Sequence, residues 1–199
     1  MHRGDDGGLT YGPRGATAPR VRLWSESPPG FRRFERTVTI GRGEDVWTAA
    51  REAVLRWEVK RRSGFAVAPA DGGGLGVRER GRYTVTAGLG RCVVREPVEV
   101  VAVVETGDRC GFAYGTRRGH PVSGEEAFIV HRDGDGRVLL TLRSLTRAAP
   151  AGPWRPLFPV LLLAQLHVRG RYLRALRDTG VRSTGPRSRP RRPPAPPAA

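Results

Sequence analysis

Lysine is almost absent from this chain of 199 residues, which holds one lysine, Lys60, against 34 arginines. Arg, Ala, Gly and Pro are used heavily instead, a bias that is typical of a GC-rich genome. The formal net charge of +16 is therefore a poor guide to function. Along residues 78–82 the arginines alternate with other residues instead of forming a basic run. Such charge gives non-specific attraction rather than a binding site, so no specific nucleic-acid partner is predicted.

Cysteine and long apolar segments are also scarce. Cys92 and Cys110 have no second Cys or His at metal-site spacing, so we expect two buried, reduced thiols. The longest apolar run, residues 157–163, contains Pro159 and is far shorter than the roughly 20 residues that cross a bilayer. The first residues lack the apolar segment of a secretory signal. Together these features predict a cytoplasmic protein with no membrane span.

Composition divides the chain into three parts. Residues 1–30 are rich in Gly, Pro and charge, and we expect an extended, partly ordered arm. Residues 179–199 are rich in arginine and proline and poor in large apolar side chains, which predicts a disordered tail. The remaining residues, 31–178, have the length of one ordinary domain with a single core.

The spacing of apolar residues predicts the fold class. Residues 34–40 alternate with period two, as in a strand, and residues 44–61 repeat every three to four, as in one helix or two short ones. Residues 156–178 are again helical, with Leu166 and Leu173 on the side expected to face a sheet. Strand-like runs joined by short turns lie between the helical stretches, at residues 77–86, 91–105, 110–114, 126–131 and 137–146. This order predicts an α+β domain in which a curved antiparallel sheet wraps around a long C-terminal helix.

Residues 111–128, GFAYGTRRGHPVSGEEAF, carry a family resemblance. Together with Leu-Thr-Tyr at 9–11 and Arg-Tyr-Leu at 171–173, this stretch resembles the family known as domain of unknown function 1990, also called uncharacterised protein family 0548. The resemblance covers residues 9–176. Because that family has no established activity, the resemblance implies a shared fold but no mechanism.

A more distant resemblance concerns the start of the domain. Residues 37–40, a glycine turn and residues 45–50 are similar to the opening of helix-grip domains, the superfamily of START lipid-binding and pollen-allergen-like proteins. That resemblance implies a cavity between the sheet and the last helix that accepts a small apolar or amphipathic molecule. No cofactor is predicted, because the glycines at 72–76 lack the Gly-Lys-Ser/Thr of a phosphate loop and no histidine has companions at metal-site spacing.

His120 and Glu126 are the candidate catalytic residues. A histidine near a glutamate can act as a general base that a carboxylate orients, as in an enzyme of the cyclase, hydrolase or isomerase type. The alternative is that both residues only fix a long hairpin turn between two strands. Strand alternation places Glu126 on the face of Phe128, where it needs a cationic partner, and Arg95, Arg118 and Arg143 are the residues considered for it.

The candidate ligand-binding residues are Tyr114, Arg118, Glu125 and Phe128, which would line the mouth of an apolar pocket. Three functions stay open at this stage. The first is a binding module for a small apolar or amphipathic ligand. The second is an enzyme that uses His120 and a glutamate as acid and base. The third is a structural or interaction protein whose Arg- and Pro-rich tail recruits a partner.

Overall fold

Seven antiparallel strands and three helices make up the computed structural model, which describes residues 8–89 and 92–177. The sheet order is β1-β7-β6-β5-β4-β3-β2, and every neighbouring pair is antiparallel. The α+β prediction of a curved sheet with a C-terminal helix is therefore confirmed. The strands are β1 (Arg32–Arg42), β2 (Phe65–Pro69), β3 (Arg82–Leu89), β4 (Cys92–Glu105), β5 (Arg109–Thr116), β6 (Val122–Arg132) and β7 (Arg137–Ala148). The helices are α1 (Glu44–Val54), α2 (Glu58–Arg61) and α3 (Phe158–Tyr172).

The inner face of the sheet, which the helices cover, carries the main core. Alternate residues of each strand point to this face, and the buried rings of Phe112, Phe128 and Tyr172 meet on it. Trp57 fills the space under α1 and α2, with its ring 4.6 Å from that of Phe112. Its burial is worth about 3 kcal/mol or more, because aromatic side chains remove the largest apolar areas from water.

The helical stretch after β1 consists of two helices. Trp57 lies between α1 and α2 with a φ of 61°, a left-handed conformation that ends one helix and allows the next to start in a new direction. Because α2 turns away from α1, its residue Lys60 points into the domain instead of toward solvent. The break therefore sets the position of the chain's single lysine.

Residues 8–30 pack on the outer face of the sheet and form part of the folded domain. The sequence predicted an extended, partly ordered arm here, and the structure corrects that prediction for residues 8–30. Residues 1–7 and the predicted tail at 179–199 lie outside the described residues. Arg143 explains the packing, since its buried guanidinium donates to the carbonyl oxygens of Ala18 (2.7 Å) and Arg22 (2.8 Å). Tyr11 lies against Gly115, where a Cβ would come within 2.3 Å of the Tyr11 hydroxyl oxygen.

Two predicted boundaries differ from the structure. The strand β2 was not predicted, because its five residues precede a glycine-rich loop and are too few to establish an alternation. The connection between β5 and β6 is shorter than the predicted long hairpin turn. Because β5 ends at Thr116 and β6 begins at Val122, only residues 117–121 connect the two strands. Glu125 and Glu126 are therefore strand residues whose facing is fixed by the ladder.

The helix α3 contacts the sheet with its C-terminal part and leaves a gap over the rest. Arg169, Tyr172 and the following Leu173 are buried, whereas Leu163 and Leu166 are 68% and 60% exposed. The predicted inward position of Leu166 is therefore wrong. Successive residues turn by about 100° around a helix, so Leu166 points away from the line of Leu161, Val168 and Tyr172, which faces the cavity. None of the helices in the described ranges is long and apolar enough to cross a bilayer.

Candidate functional site

A cavity of about 300 Å³ lies between the inner face of the sheet and α3. Part of its wall is apolar and comes from strands and from α3, namely Phe65, Val94, Leu161 and Val168. Another part carries six polar side chains that come from six different segments of the chain. We call these residues the polar cluster: Lys60, Glu96, Tyr114, His120, Glu126 and Tyr172.

Lys60 is at the centre of the polar cluster. Its ammonium donates to the Tyr172 hydroxyl oxygen at 2.6 Å and forms an ion pair with Glu126 at 3.2 Å. The ring centroids of Phe65, Tyr114 and Tyr172 lie 4.8, 5.2 and 4.7 Å from Nζ. Because the residue is only 4% exposed, these oxygen atoms and ring faces replace the water that the charge loses. The chain's single lysine is thus a fully compensated buried cation.

Glu126 points from β6 to the inner face, as its alternation with Phe128 predicts. The Tyr114 hydroxyl donates to the same carboxylate oxygen that faces Lys60. The structure therefore brings Glu126 and Tyr114, two of the predicted site residues, into one hydrogen-bonded group. A carboxylate with a cation and a hydroxyl donor is well compensated for burial.

The three arginines considered as partners of Glu126 do not reach it. Arg143 points to the outer face, where it binds Glu35 at 2.8 Å, because it alternates in β7 with the inward-facing Leu142 and Ser144. Arg95 and Arg118 are exposed. The cation comes instead from a helix, which strand alternation gives no means of predicting.

His120 lines the same cavity but does not pair with Glu126. Its Nδ1 lies 3.0 Å from the Val122 carbonyl oxygen and 3.1 Å from the Val122 nitrogen, so one neutral tautomer donates to that oxygen and the other accepts from that N–H. Burial, followed by repulsion from Lys60, lowers the pKa of His120 to about 3. Nε2 lies 3.9 Å from a carboxylate oxygen of Glu96, beyond hydrogen-bond distance. At neutral pH the ring is an uncharged polar group that lines the cavity.

Glu96 is the least compensated member of the polar cluster. It projects from β4 between Val94 and Val98, and its side chain keeps 19% exposure in the cavity wall. Burial raises its pKa, Lys60 partly opposes this effect, and Glu126 adds to it. No donor among residues 8–89 and 92–177 reaches its carboxyl group within hydrogen-bond distance. It is thus an acceptor available to a molecule in the cavity.

The two tyrosines of the cluster are neutral hydrogen-bond donors. Burial, with a further contribution from Glu126, raises the pKa of both Tyr114 and Tyr172 well above 10. Tyr114 uses its hydrogen for Glu126. The Tyr172 oxygen accepts from Lys60, and no described residue accepts its own hydroxyl hydrogen. Tyr172 can therefore donate to a bound molecule.

The side chains of the other predicted ligand-binding residues do not reach the polar cluster, although Glu125 belongs to the cavity wall. The side chain of Glu125 points to the outer face, where its carboxylate accepts hydrogen bonds from Tyr11 and from the backbone N–H groups of Gly15 and Thr17. Phe128 is fully buried among core rings, and Arg118 is exposed in the turn. Of the four, Tyr114 is the one whose side chain reaches the polar cluster.

Lys60, Glu96 and Tyr172 were not predicted as site residues. Lys60 had a detectable signal, since one lysine among 34 arginines indicates a position where arginine does not fit. Glu96 also had a detectable signal, as an acid that alternates with Val94 and Val98 on a strand face that is otherwise apolar there. Within the described part of the chain, no three His, Cys, Asp or Glu side chains are grouped so as to hold a metal ion.

Solved structures with the same architecture identify the fold. A hypothetical protein from Helicobacter pylori superposes with a TM-score of 0.52 at 14% identity, over 75% of this chain and 87% of that one. A major latex-like protein from Panax ginseng superposes with a TM-score of 0.52 at 15% identity, over 76% of this chain and 99% of that one. The sheet and its C-terminal helix therefore form a helix-grip fold.

The family follows from sequence comparison. The chain belongs to the family described as "Domain of unknown function (DUF1990)", whose model matches residues 10–175. A UPF0548 protein from Deinococcus radiodurans is 32% identical over 146 residues, which is 63% of this chain and 69% of the relative. Both findings confirm the resemblance that residues 111–128 and 171–173 carry.

Proposed function

We propose that this protein binds a small amphipathic molecule in the cavity between the sheet and α3. The apolar part of the ligand packs against Val94, Leu161 and Val168, and its polar head meets the polar cluster. The observation that supports the proposal is a cavity whose wall is apolar in one part and polar in another. Its volume of about 300 Å³ falls at the lower end of the range of small-molecule sites.

The state of the polar cluster favours binding over acid–base catalysis by His120. A histidine with a pKa of about 3 is a weak base and stays uncharged at neutral pH. The carboxylate nearest to its Nε2 lies at 3.9 Å, too far to orient the ring by a hydrogen bond. Lys60 and Glu126 neutralise each other and therefore serve better as a fixed polar surface than as a proton donor and acceptor.

A pair of variants on α3 tests the proposal. Val168 lines the cavity, whereas Leu163 on the same helix is exposed. We expect Val168→Trp to fill the cavity and weaken binding of 1-decanol at least tenfold, measured by displacement of the fluorescent probe phenylnaphthylamine. Leu163→Trp adds the same side chain to the outer surface, so its affinity for 1-decanol should stay within twofold of the parent chain. Circular dichroism checks that both variants fold.

Two results would overturn the proposal. One is equal binding of 1-decanol by the Val168→Trp and Leu163→Trp variants, which would place the alcohol outside the cavity. The other is no displacement by 1-decanol in the parent chain together with native mass spectra that show no retained small molecule after purification from the protein's own host. A retained molecule that Val168→Trp loses and Leu163→Trp keeps would support the proposal directly.

A further inference from the structure

Among the described residues, two buried cations lie near the cavity, Lys60 and Arg169, and both already contact protein groups, although Nε of Arg169 has no hydrogen-bond partner. Lys60 is bound by Tyr172 and Glu126 and enclosed by aromatic rings. The buried guanidinium of Arg169 donates to Ser144 at 2.7 Å and lies 4.1 Å from the ring centroid of Phe34. Binding an anionic head group to Lys60 or to the terminal nitrogen of Arg169 would therefore require that cation to leave its present partners.

Two acceptors at the cavity, in Glu96 and Gln165, lack a hydrogen-bond donor among the described residues. The carboxyl group of Glu96 has no donor among the described residues and lines the cavity. The amide of Gln165, oriented so that its nitrogen donates to Thr146 at 3.1 Å, leaves its buried oxygen without a hydrogen bond. The Gln165 oxygen is buried and the Glu96 carboxyl group is partly exposed, and a ligand that donates hydrogen bonds would supply the missing partner of each.

We propose that the head group of the ligand is a primary ammonium that binds Glu96, so that the cavity selects alkyl amines over alcohols and carboxylates of equal chain length. This inference rests on the function proposed above and assigns its ligand class. An ammonium has three donors and forms charge-assisted hydrogen bonds to a carboxylate. A carboxylate head would instead meet Glu96 and Glu126 together, and like charges repel where burial removes part of their water.

The test compares decylamine, 1-decanol and decanoate, each below its aggregation limit, by displacement of phenylnaphthylamine from the full-length chain at pH 7.5. We expect decylamine to bind at least tenfold more tightly than 1-decanol, and decanoate to bind more weakly than both. In Glu96→Gln, which keeps the shape and removes the charge, decylamine should lose that advantage while 1-decanol binding changes less than twofold. Glu105→Gln, at an exposed position of the same strand, removes an equal charge and should keep the parent order.

The possible failures are distinguishable. If 1-decanol binds but decylamine has no advantage, or Glu96→Gln leaves the advantage intact, the assignment of an amine is wrong and the proposed function stands. Preference for decanoate would also overturn the assignment. If the parent chain binds none of the three compounds, the proposed function fails with it. The ranking of the three affinities is measured on the parent chain. It therefore tests the assignment even if the Glu96→Gln variant does not fold.

Discussion

The ammonium of Lys60 and the carboxylate of Glu126 show how one residue depends on another in a buried site. Each charge has lost its water, and each is stabilised mainly by the other and by the hydroxyl groups of Tyr114 and Tyr172. A buried ion pair adds little net stability compared with an apolar pair of the same shape. Removing one member alone is costly, because the remaining charge stays buried without a partner.

A double-mutant cycle measures this dependence. We expect Lys60→Met to lower the free energy of unfolding by about 3–5 kcal/mol, because Glu126 then stays buried with only a hydroxyl donor. Adding Glu126→Gln removes the second charge and should restore at least half of that loss. Urea denaturation of the parent chain, both single variants and the double variant gives the coupling energy. Additive losses from the two single changes would contradict a direct ion pair.

Among the elements, the segment at residues 8–30 depends most on one side chain of the sheet. The Glu125 carboxylate accepts the Tyr11 hydroxyl hydrogen and the backbone hydrogens of Gly15, Ala16 and Thr17. Hydrogen bonds to a charged acceptor contribute about 1.5–3 kcal/mol each when they are buried. The segment therefore stays on the outer face through a concentrated anchor as well as through apolar contact.

Replacing this anchor should release the segment without changing the cavity. We expect Glu125→Gln to lower the free energy of unfolding by about 2–3 kcal/mol and to speed amide hydrogen exchange most at residues 10–20. Affinity for 1-decanol should change less than twofold, because the Glu125 side chain points away from the polar cluster. The matched control is Glu26→Gln, which neutralises an exposed acid of the same segment. Exchange spread evenly over the domain would argue against a local anchor.

Among the structural elements, the strands were easier to predict from the sequence than the residues of the polar cluster. Alternation predicted six of the strands, and the opposite facing of Glu125 and Glu126, because the period of a strand is fixed by backbone geometry. Alternation gives no information on which helix residue meets which strand residue. Lys60 and Tyr172 are 112 positions apart, and their contact depends on the left-handed turn at Trp57 and on where α3 crosses the sheet. The packing of residues 8–30 was missed for the same reason.

Over the whole molecule, two buried histidines make stability depend on pH. Burial is the main cause that lowers the pKa of His120 to about 3 and of His131 to about 4, from about 6.5 in an unfolded chain. Between pH 6.5 and these values the unfolded chain binds protons that the folded chain does not. The histidine contribution to stability is therefore complete above pH 6.5 and is lost as the pH falls toward 3.

We expect the titration of His120 to make the free energy of unfolding about 2 kcal/mol lower at pH 5.0 than at pH 7.5. The variant His120→Asn keeps an acceptor near the position of Nδ1 and does not titrate, so its loss over the same range should be smaller by that amount. Urea denaturation at both pH values measures the difference between the two chains, in which the shared effects of His131 and Glu96 cancel. An equal pH dependence of both chains would show that His120 is not buried in its neutral form.

The rarity of lysine gives the buried ammonium a second use. Because Lys60 is the one lysine of the sequence, a protease specific for lysine has a single cleavage site in the chain, and that site lies in α2 beneath the cavity. Isotope labels supplied as lysine would likewise report from one position, without assignment of any other residue. A signal from labelled lysine would therefore report ligand binding in the cavity, because Lys60 lines it.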